Sequence, residues 1–327
     1  MIYRLGVDGG GTKTEAILVD SSGTVVAQRV GPGCNPSVAG PEGAKNAFGA
    51  LVTELLAPFP SAEADFKIEA TLLCMAGNPA FWAEFAASLT TFGRVHTVTD
   101  AVPVLQLATA GKPGIVLHAG TGSFVAGLTA AASTAPRDDD RSATPSALGT
   151  TRSTPEELLA GGKVHYAGGL GWKFGDPGSG YDIGRRVVVR ALLELQGWYP
   201  PSALSRFLQE ETGIQDAQGI SRFYYNDSAA NPKIAQLAAG TLELAARGDA
   251  VAHPLVLSSM SELLDLAHAV ATKLFPHHAA RTIPAGLSGP ILTHPFVAER
   301  LMAMSSLPLK VVTESPIEGV RQLLAKA

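Results

Sequence analysis

Asp8-Gly9-Gly10-Gly11-Thr12-Lys13-Thr14 decides the reading of this chain. It is preceded by Tyr3-Arg4-Leu5-Gly6-Val7 and followed by Glu15-Ala16-Ile17-Leu18-Val19. Both flanks are short apolar runs bounded by turn residues, the pattern of strands. The glycines therefore fall at the tip of a tight β-hairpin, where the lack of a Cβ lets the backbone turn sharply and approach a ligand closely. Amide groups exposed in such a turn, with Thr12, Lys13 and Thr14 adding hydroxyls and a cation, make a phosphate cradle. An ordinary glycine-rich hairpin is the alternative. A P-loop would need Gly-Lys-Ser/Thr opening a helix, and a dinucleotide fingerprint would need a helix after its glycines; here β-type residues follow instead.

Composition narrows the class. With 327 residues, 46% hydrophobic and 17% charged, the chain is globular and long enough for two domains with their own cores. A net charge of −4 gives no electrostatic footprint for nucleic acid or an anionic membrane. The first strand follows Met1 almost directly, which leaves no room for a signal peptide's apolar region, and no apolar run is long enough for a membrane span. Cys34 and Cys74, the two cysteines, make neither a disulfide framework nor a four-ligand zinc site. A cytoplasmic protein is expected. The eight histidines are scattered without metal-ligand spacing, and no nucleophile elbow or zinc-protease signature is present.

Outward from the hairpin, Val25 to Val30 reads as a third strand, and a loop through Cys34-Asn35-Pro36-Ser37 leads to a helix from Pro41 to Leu56. Ile68 to Met75 is a continuous apolar run, the mark of a strand buried on both faces. Ala76-Gly77-Asn78-Pro79 turns into a helix, Ala80 to Leu89. A short strand, Val95 to Thr99, then ends at Asp100, and a helix from Pro103 to Ala110 follows. Three strands and then alternating helices and strands predict an α/β domain with a mixed sheet. Gly114 to Leu128 is again strand, Gly/Thr-rich turn (Gly120-Thr121-Gly122-Ser123) and strand. It echoes the opening, and predicts a second α/β domain beginning with its own phosphate-type hairpin.

Thr129 to Lys163 is rich in Ala, Ser, Thr and Pro, holds the run Arg137 to Arg141, and is expected to be an exposed insertion. Gly168-Gly169-Leu170-Gly171-Trp172-Lys173-Phe174-Gly175-Asp176-Pro177-Gly178-Ser179 is a glycine-dense loop with one carboxylate, costly to order for architecture alone. Helices are expected at Ile183 to Leu195, Ser202 to Glu211, Lys233 to Arg247 and Pro254 to Leu274. A strand at Arg281 to Ala285 is followed by Gly286-Leu287-Ser288-Gly289-Pro290, a helix at Pro295 to Met304, a short strand at Lys310 to Val312 and a closing helix from Pro316.

The ordered series resembles the N-acetylglucosamine and glucosamine kinases grouped with the BadF/BadG/BcrA/BcrD-type ATPases, within the sugar kinase, Hsp70 and actin superfamily. The likeness implies an α/β fold of two actin-like (ribonuclease H-like) domains around a nucleotide cleft. They would span 1–111 and 112–313, with an insertion at 129–163 and the closing helix 314–327 returning to the first. It implies ATP and Mg2+ as cofactors and an amino sugar as acceptor, phosphorylated on a hydroxyl, the 6-OH by analogy, in a homodimer. Asp8 would serve the metal. Gly10, Gly11, Thr12, Lys13, Thr14, Gly120, Thr121, Gly122 and Ser123 would bind phosphates. Ala235, Gly286 and Gly289 would lie on the adenosine side, Asn35, Gly77, Gly169 and Asp176 would orient the sugar, and Asp100 would be the catalytic base.

Three positions depart from the family pattern: Pro177 where Glu is common, Leu170 where Trp is common, and Phe124 where an Asn touches the sugar. All lie on the acceptor side. Two rivals remain. An ATP-driven activator of 2-hydroxyacyl-CoA dehydratases would need a cluster cysteine just before the second Gly-Thr-Gly, where this chain has His118-Ala119. A sugar sensor without catalysis would not need Asp100.

Overall fold

The computed structural model describes residues 1–59, 66–130, 162–174, 176–227 and 229–326. Strands β1 (Ile2–Gly9) and β2 (Lys13–Asp20) form the opening hairpin, with Asp8 opposite Glu15 and Gly9 opposite Thr14. Strand β3 (Val25–Pro32) pairs with β2, whereas β4 (Lys67–Met75) and β5 (Arg94–Thr99) run parallel to β1. The sheet order is β3-β2-β1-β4-β5. Crossover helices α2 (Pro41–Leu56) and α3 (Pro79–Ser88) follow the short turn α1 (Pro36–Ala39). The core of this half collects Leu5, Val7, Phe48, Leu55, Leu73 and Trp82, whose removal from water is the main stabilising term.

The second sheet repeats the first. Strands β6 (Gly114–Ala119), β7 (Ser123–Thr129), β8 (Lys163–Gly168), β9 (Ala285–Ser288) and β10 (Leu309–Val311) are ordered β10-β9-β6-β7-β8. Read from the other edge, this is third, second, first, fourth, fifth, as before. As in the first sheet, the fourth strand is parallel to the first and the fifth to the fourth. The echo between the two hairpins is thus an echo between two folds. Helix α4 (Ala101–Thr109) precedes this sheet, and the helices α5 (Gly180–Leu195), α6 (Ala203–Thr212), α7 (Ala217–Tyr225), α8 (Ala230–Ala246), α9 (Ala252–Leu274) and α10 (Pro295–Met304) go with it, α9 packing on β6 and α10 on β10. Its core gathers Ile115, Leu117, Ile183, Val256, Leu263 and Leu287.

The chain divides into two compact units. The first holds Met1–Leu107, the described ends of 128–164 and Glu314–Ala327; the second holds Ala108–Gly127 and His165–Thr313. The closing helix α11 (Pro316–Leu324) packs on β1, where a Cβ on Gly6 would fall 2.7 Å from Val320 and 2.8 Å from Leu324. Among the described residues no helix is long and apolar enough to cross a membrane.

Several expectations need correction. Helix α4 begins at Ala101 rather than Pro103, since proline is well tolerated in a first helical turn. A strand was expected at Arg281 to Ala285, but Ala280–Thr282 is a 3-10 turn and the strand is Ala285–Ser288. Pro284 has no N–H for a ladder; its carbonyl instead accepts from the Ile115 amide at 2.8 Å. Strand β8 and helix α7 were not expected. Of the stretch 129–163 only its ends are described, Thr129 closing β7 and Lys163 opening β8. The Arg137 to Arg141 run and Gly175 lie outside the described residues.

Candidate functional site

In the first unit, Asp8 in β1 is level with Cys74 in β4, and Cys74 with Val98 in β5. One residue further along stand Gly9, Met75 and Thr99. The three strands therefore deliver Gly9 to Gly11, Ala76-Gly77 and Asp100 to one sheet end, the carboxyl end of the parallel strands, where open α/β sheets place ligands. Asp100 stands between β5 and Ala101, the first residue of α4.

The hairpin tip is tied down rather than left to wander. The Gly10 amide donates to the Lys13 carbonyl at 2.9 Å, the Gly33 amide to Thr12 O at 3.1 Å and the Cys34 amide to Gly10 O at 3.1 Å. A Cβ on Gly33 would sit 2.2 Å from the Gly11 carbonyl oxygen, so only glycine lets the chain after β3 run against the tip. Gly11 differs. A Cβ there would meet nothing within 4 Å, and its φ is not among the positive ones.

Around the tip lies concentrated negative charge. Burial pushes the Asp8 carboxyl up to about 7, and the neighbouring Asp100 and Glu15 charges push the same way, with Lys13 opposing them. Glu15 is 6% exposed and accepts from Lys13 Nζ at 3.2 Å, Gln28 Nε2 at 2.6 Å and Ser315 Oγ at 3.3 Å. Burial raises the Cys34 thiol, and the Thr14 hydroxyl beside it pulls the other way. A cation would relieve this field, yet among the described residues no three His, Cys, Asp or Glu side chains are placed to hold a metal ion by themselves. The arrangement suits a cation that arrives with its own oxygen ligands, as magnesium on a phosphate does.

Asn35 caps the turn α1 through its carboxamide oxygen, which accepts from the Ser37 amide at 2.9 Å. Gly77, at φ 95°, lies against it: a Cβ would be 2.5 Å from Asn35 Oδ1. Asn35, Gly77, Asp8 and Asp100 thus belong to one end of one sheet.

In the second unit the Gly120–Ser123 turn is zipped to the glycine-dense loop. Gly180 N donates to Gly120 O at 2.8 Å, Tyr181 N to Thr121 O at 3.3 Å and Gly169 N to Ser123 O at 3.0 Å. Ser123 Oγ donates to Pro177 O at 2.7 Å, so its hydroxyl is committed to the loop and its contribution to a ligand is its backbone. Asp176 is the unusual residue. It is 5% exposed with φ 97°, and its Oδ1 is buried without a hydrogen-bond partner. Its Oδ2 lies 3.0 Å from where a Cβ on Gly122 would be. Burial pushes its carboxyl up to about 6; a Gly171 backbone hydrogen bond opposes this and the Asp182 charge adds to it. A strained backbone carrying an unsatisfied buried carboxylate is what a ligand site tolerates and a packed core does not.

Gly289, at φ 86°, would place a Cβ 2.4 Å from the Ala119 carbonyl, at the base of the same turn. Ala235 O is 3.0 Å from a Cβ on Gly180, the residue bonded to Gly120. Gly286 is set three residues back, against Ala108 and Val312. Sequence reasoning missed Gly33, Glu15 and Gly184, the last with a Cβ that would fall 1.8 Å from Ile234 O. The one available signal was the spacing of Gly180 and Gly184, four apart on a helix face, which lets α5 and α8 approach closely.

Residues 5–135 match the BadF/BadG/BcrA/BcrD ATPase family. The chain is 25% identical over 285 residues to an N-acetyl-D-glucosamine kinase of Dictyostelium discoideum, covering 83% of this chain and 79% of that protein. It is 26% identical over 206 residues to a glucosamine kinase of Vibrio cholerae, covering 62% and 59% respectively. A crystal structure of a candidate N-acetylglucosamine kinase from Chromobacterium violaceum superposes with a TM-score of 0.69 at 25% identity, over 98% of both chains. The fold is the α/β fold of the actin-like ATPases and sugar kinases.

Proposed function

We propose that this chain, which carries a BadF/BadG/BcrA/BcrD ATPase family domain, is an ATP-dependent kinase that phosphorylates a hydroxyl of an amino sugar. Kinase relatives named for N-acetylglucosamine and glucosamine support the class of reaction. The observation that carries the reading is Gly11: a glycine with neither a steric nor a conformational reason to be one, at the tip of a stapled hairpin beside buried carboxylates.

Phosphoryl transfer asks for positioning and charge stabilisation more than for covalent chemistry. Backbone amides of Gly11 to Lys13, with the Thr14 hydroxyl behind them, bind phosphate oxygens in the first unit, while the Gly10 amide is committed to Lys13 O and shapes the tip. Those of Thr121 to Ser123, with the Thr121 hydroxyl, do so in the second, where the Gly120 amide is bonded to Gly122 O at 2.9 Å. Magnesium, when bound, would offset the phosphate charge, and Asp8 would hold the water around it. Lys13, now paired with Glu15, adds a positive charge within reach of phosphate. Ala235 and Gly289 flank the second hairpin on the nucleotide side, and Gly286 backs them.

On the acceptor side Asn35 and Gly77 contribute to sugar binding from the first unit and Gly169 from the second. The unpartnered Oδ1 of Asp176 accepts from a sugar hydroxyl or amino group. Asp100 takes the proton of the attacking hydroxyl, which by analogy is the 6-OH, and lies close enough to Asp8 for the two charges to interact. The enzyme acts in the cytoplasm as a homodimer.

Asp100→Ala should lower turnover by at least about 100-fold, the usual scale for a general base, while ATP affinity stays within about two-fold. Isothermal titration with ATP and a coupled ADP-release assay measure the two separately. Retained turnover would sink the assignment.

A further inference from the structure

Asp176 combines a positive φ with a buried, half-unsatisfied carboxylate, and such a residue persists only where its neighbours over-determine it. On one side the loop is tied to the Gly120–Ser123 turn. On the other it lies flat on helix α9: a Cβ on Gly178, at φ 79°, would fall 3.0 Å from Leu263 and 3.2 Å from Met260. There the Gly178 amide donates to Ser259 Oγ at 3.2 Å and, more distantly, to Asp182 Oδ2 at 3.5 Å, and Ser259 Oγ donates to the same Oδ2 at 2.7 Å.

Ser259 is fully buried in the middle of α9. A mid-helix serine commonly turns its hydroxyl back onto its own helix; here it reaches across to another element. Asp182 is itself fixed. Arg186 Nε donates to both its oxygens at 3.0 Å, Arg185 donates to Oδ1 at 3.1 Å, and Arg186 runs on to Glu262 at 2.7 Å. The ionised Asp182 can only accept, so it obliges the Ser259 hydroxyl to donate towards it. The lone pairs of Oγ then face Gly178 N–H. The direction of the whole relay is set by one charge.

We propose that Ser259 is a positioning residue for the acceptor site: oriented by Asp182, its hydroxyl holds the Gly178 amide and thereby fixes the carboxylate of Asp176 for the sugar. The inference rests on the reading of Asp176 as a sugar-binding residue. Ser259 touches neither substrate; it acts through the loop.

Ser259→Ala removes the relay without adding bulk. The Michaelis constant for the sugar should rise about ten-fold, the effect of losing roughly one hydrogen bond's worth of positioning, with KM for ATP and kcat within about two-fold of wild type. Hydrogen exchange at the Gly178 amide should quicken about ten-fold while the amides of α9 keep their protection. Asp182→Asn, which unlocks the hydroxyl's direction, should raise the sugar KM as well. The double variant should fall short of the sum of the two single effects, because Ser259 and Asp182 share the Gly178 amide. Wild-type sugar KM with unchanged Gly178 exchange would overturn the proposal, as would an equal rise in both Michaelis constants, which marks general loosening. Failure of the underlying function looks different: the wild-type protein would transfer phosphate to no amino sugar, and Gly178 exchange in Ser259→Ala would still decide whether the clamp exists.

Discussion

Gly11→Ala separates fold from function at the opening hairpin. The added methyl meets no heavy atom within 4 Å, and Gly11 does not sit at positive φ. The folded state should therefore accept it without strain. Restricting the unfolded chain even favours folding, by about 0.4–1 kcal/mol. If the Gly11 amide lies against a phosphate oxygen, the same methyl intrudes on the ligand. Forcing a methyl into a filled contact costs about 1–3 kcal/mol, which is about a 5- to 150-fold loss of ATP affinity. Denaturant melts would give the stability, and titration with a non-hydrolysable ATP analogue and magnesium the affinity. The expected result is equal or slightly higher stability with affinity lowered in that range and the sugar KM little changed. Wild-type nucleotide affinity in Gly11→Ala would refute the placement of phosphate at this tip.

Gly33→Ala supplies the contrast: with its Cβ 2.2 Å from a backbone oxygen of Gly11, stability should fall by at least about 1–3 kcal/mol and ATP affinity with it, as melts and titration would show. Gly184→Ala drives a methyl to 1.8 Å from Ile234 O and should destabilise by about 3 kcal/mol or more by separating α5 from α8, read as a lower denaturation midpoint. Asp176→Asn tests the buried carboxylate. Because folding raises its pKa from 3.8 to about 6, the wild-type fold binds that proton more tightly than the unfolded chain. Its stability from this group is full below about pH 4 and lost as pH rises through 6. The shift corresponds to at most about 3 kcal/mol. Asp176→Asn should therefore melt later than wild type at pH 8, by about 1–3 kcal/mol, and equally at pH 4, while its sugar KM rises. Equal melting at both pH values would deny the burial cost.

The hairpin and its repeat were legible because their signals are local: glycines at a tip, apolar flanks, and the same pattern again at Gly120 to Ser123. Strand β8 was not, since it lies at a sheet edge, and its burial pattern, without a fully buried residue, leaves no alternation to read. Helix α7 is short and carries Gly219 near its start. It is held by the Asp216 cap, whose side chain accepts from Gly219 N at 2.9 Å, and by burial of Ile220 and Tyr224 in a small cluster, a tertiary cause that propensity cannot register. The candidate site followed the same division. Gly10 to Thr14, Asn35, Asp100 and Asp176 stand at strand ends or in turns, where the sequence marks them. Gly33 acts through a backbone approach and Ser259 through its hydroxyl, each reaching a segment distant in the chain. One is a glycine among thirty-five and the other a serine inside a regular helix, and neither pattern announces a role.

The central claim is phosphoryl transfer from ATP to an amino sugar. The most direct measurement incubates the protein with magnesium and ATP across N-acetylglucosamine, glucosamine, N-acetylmannosamine and glucose, following ADP release and identifying the product by phosphorus NMR. ADP release that depends on an amino sugar, with one new sugar phosphate ester whose phosphorus couples to the protons of a CH2 group, is the predicted result. ADP release indifferent to every sugar, or sugar binding with no ester formed, would contradict it.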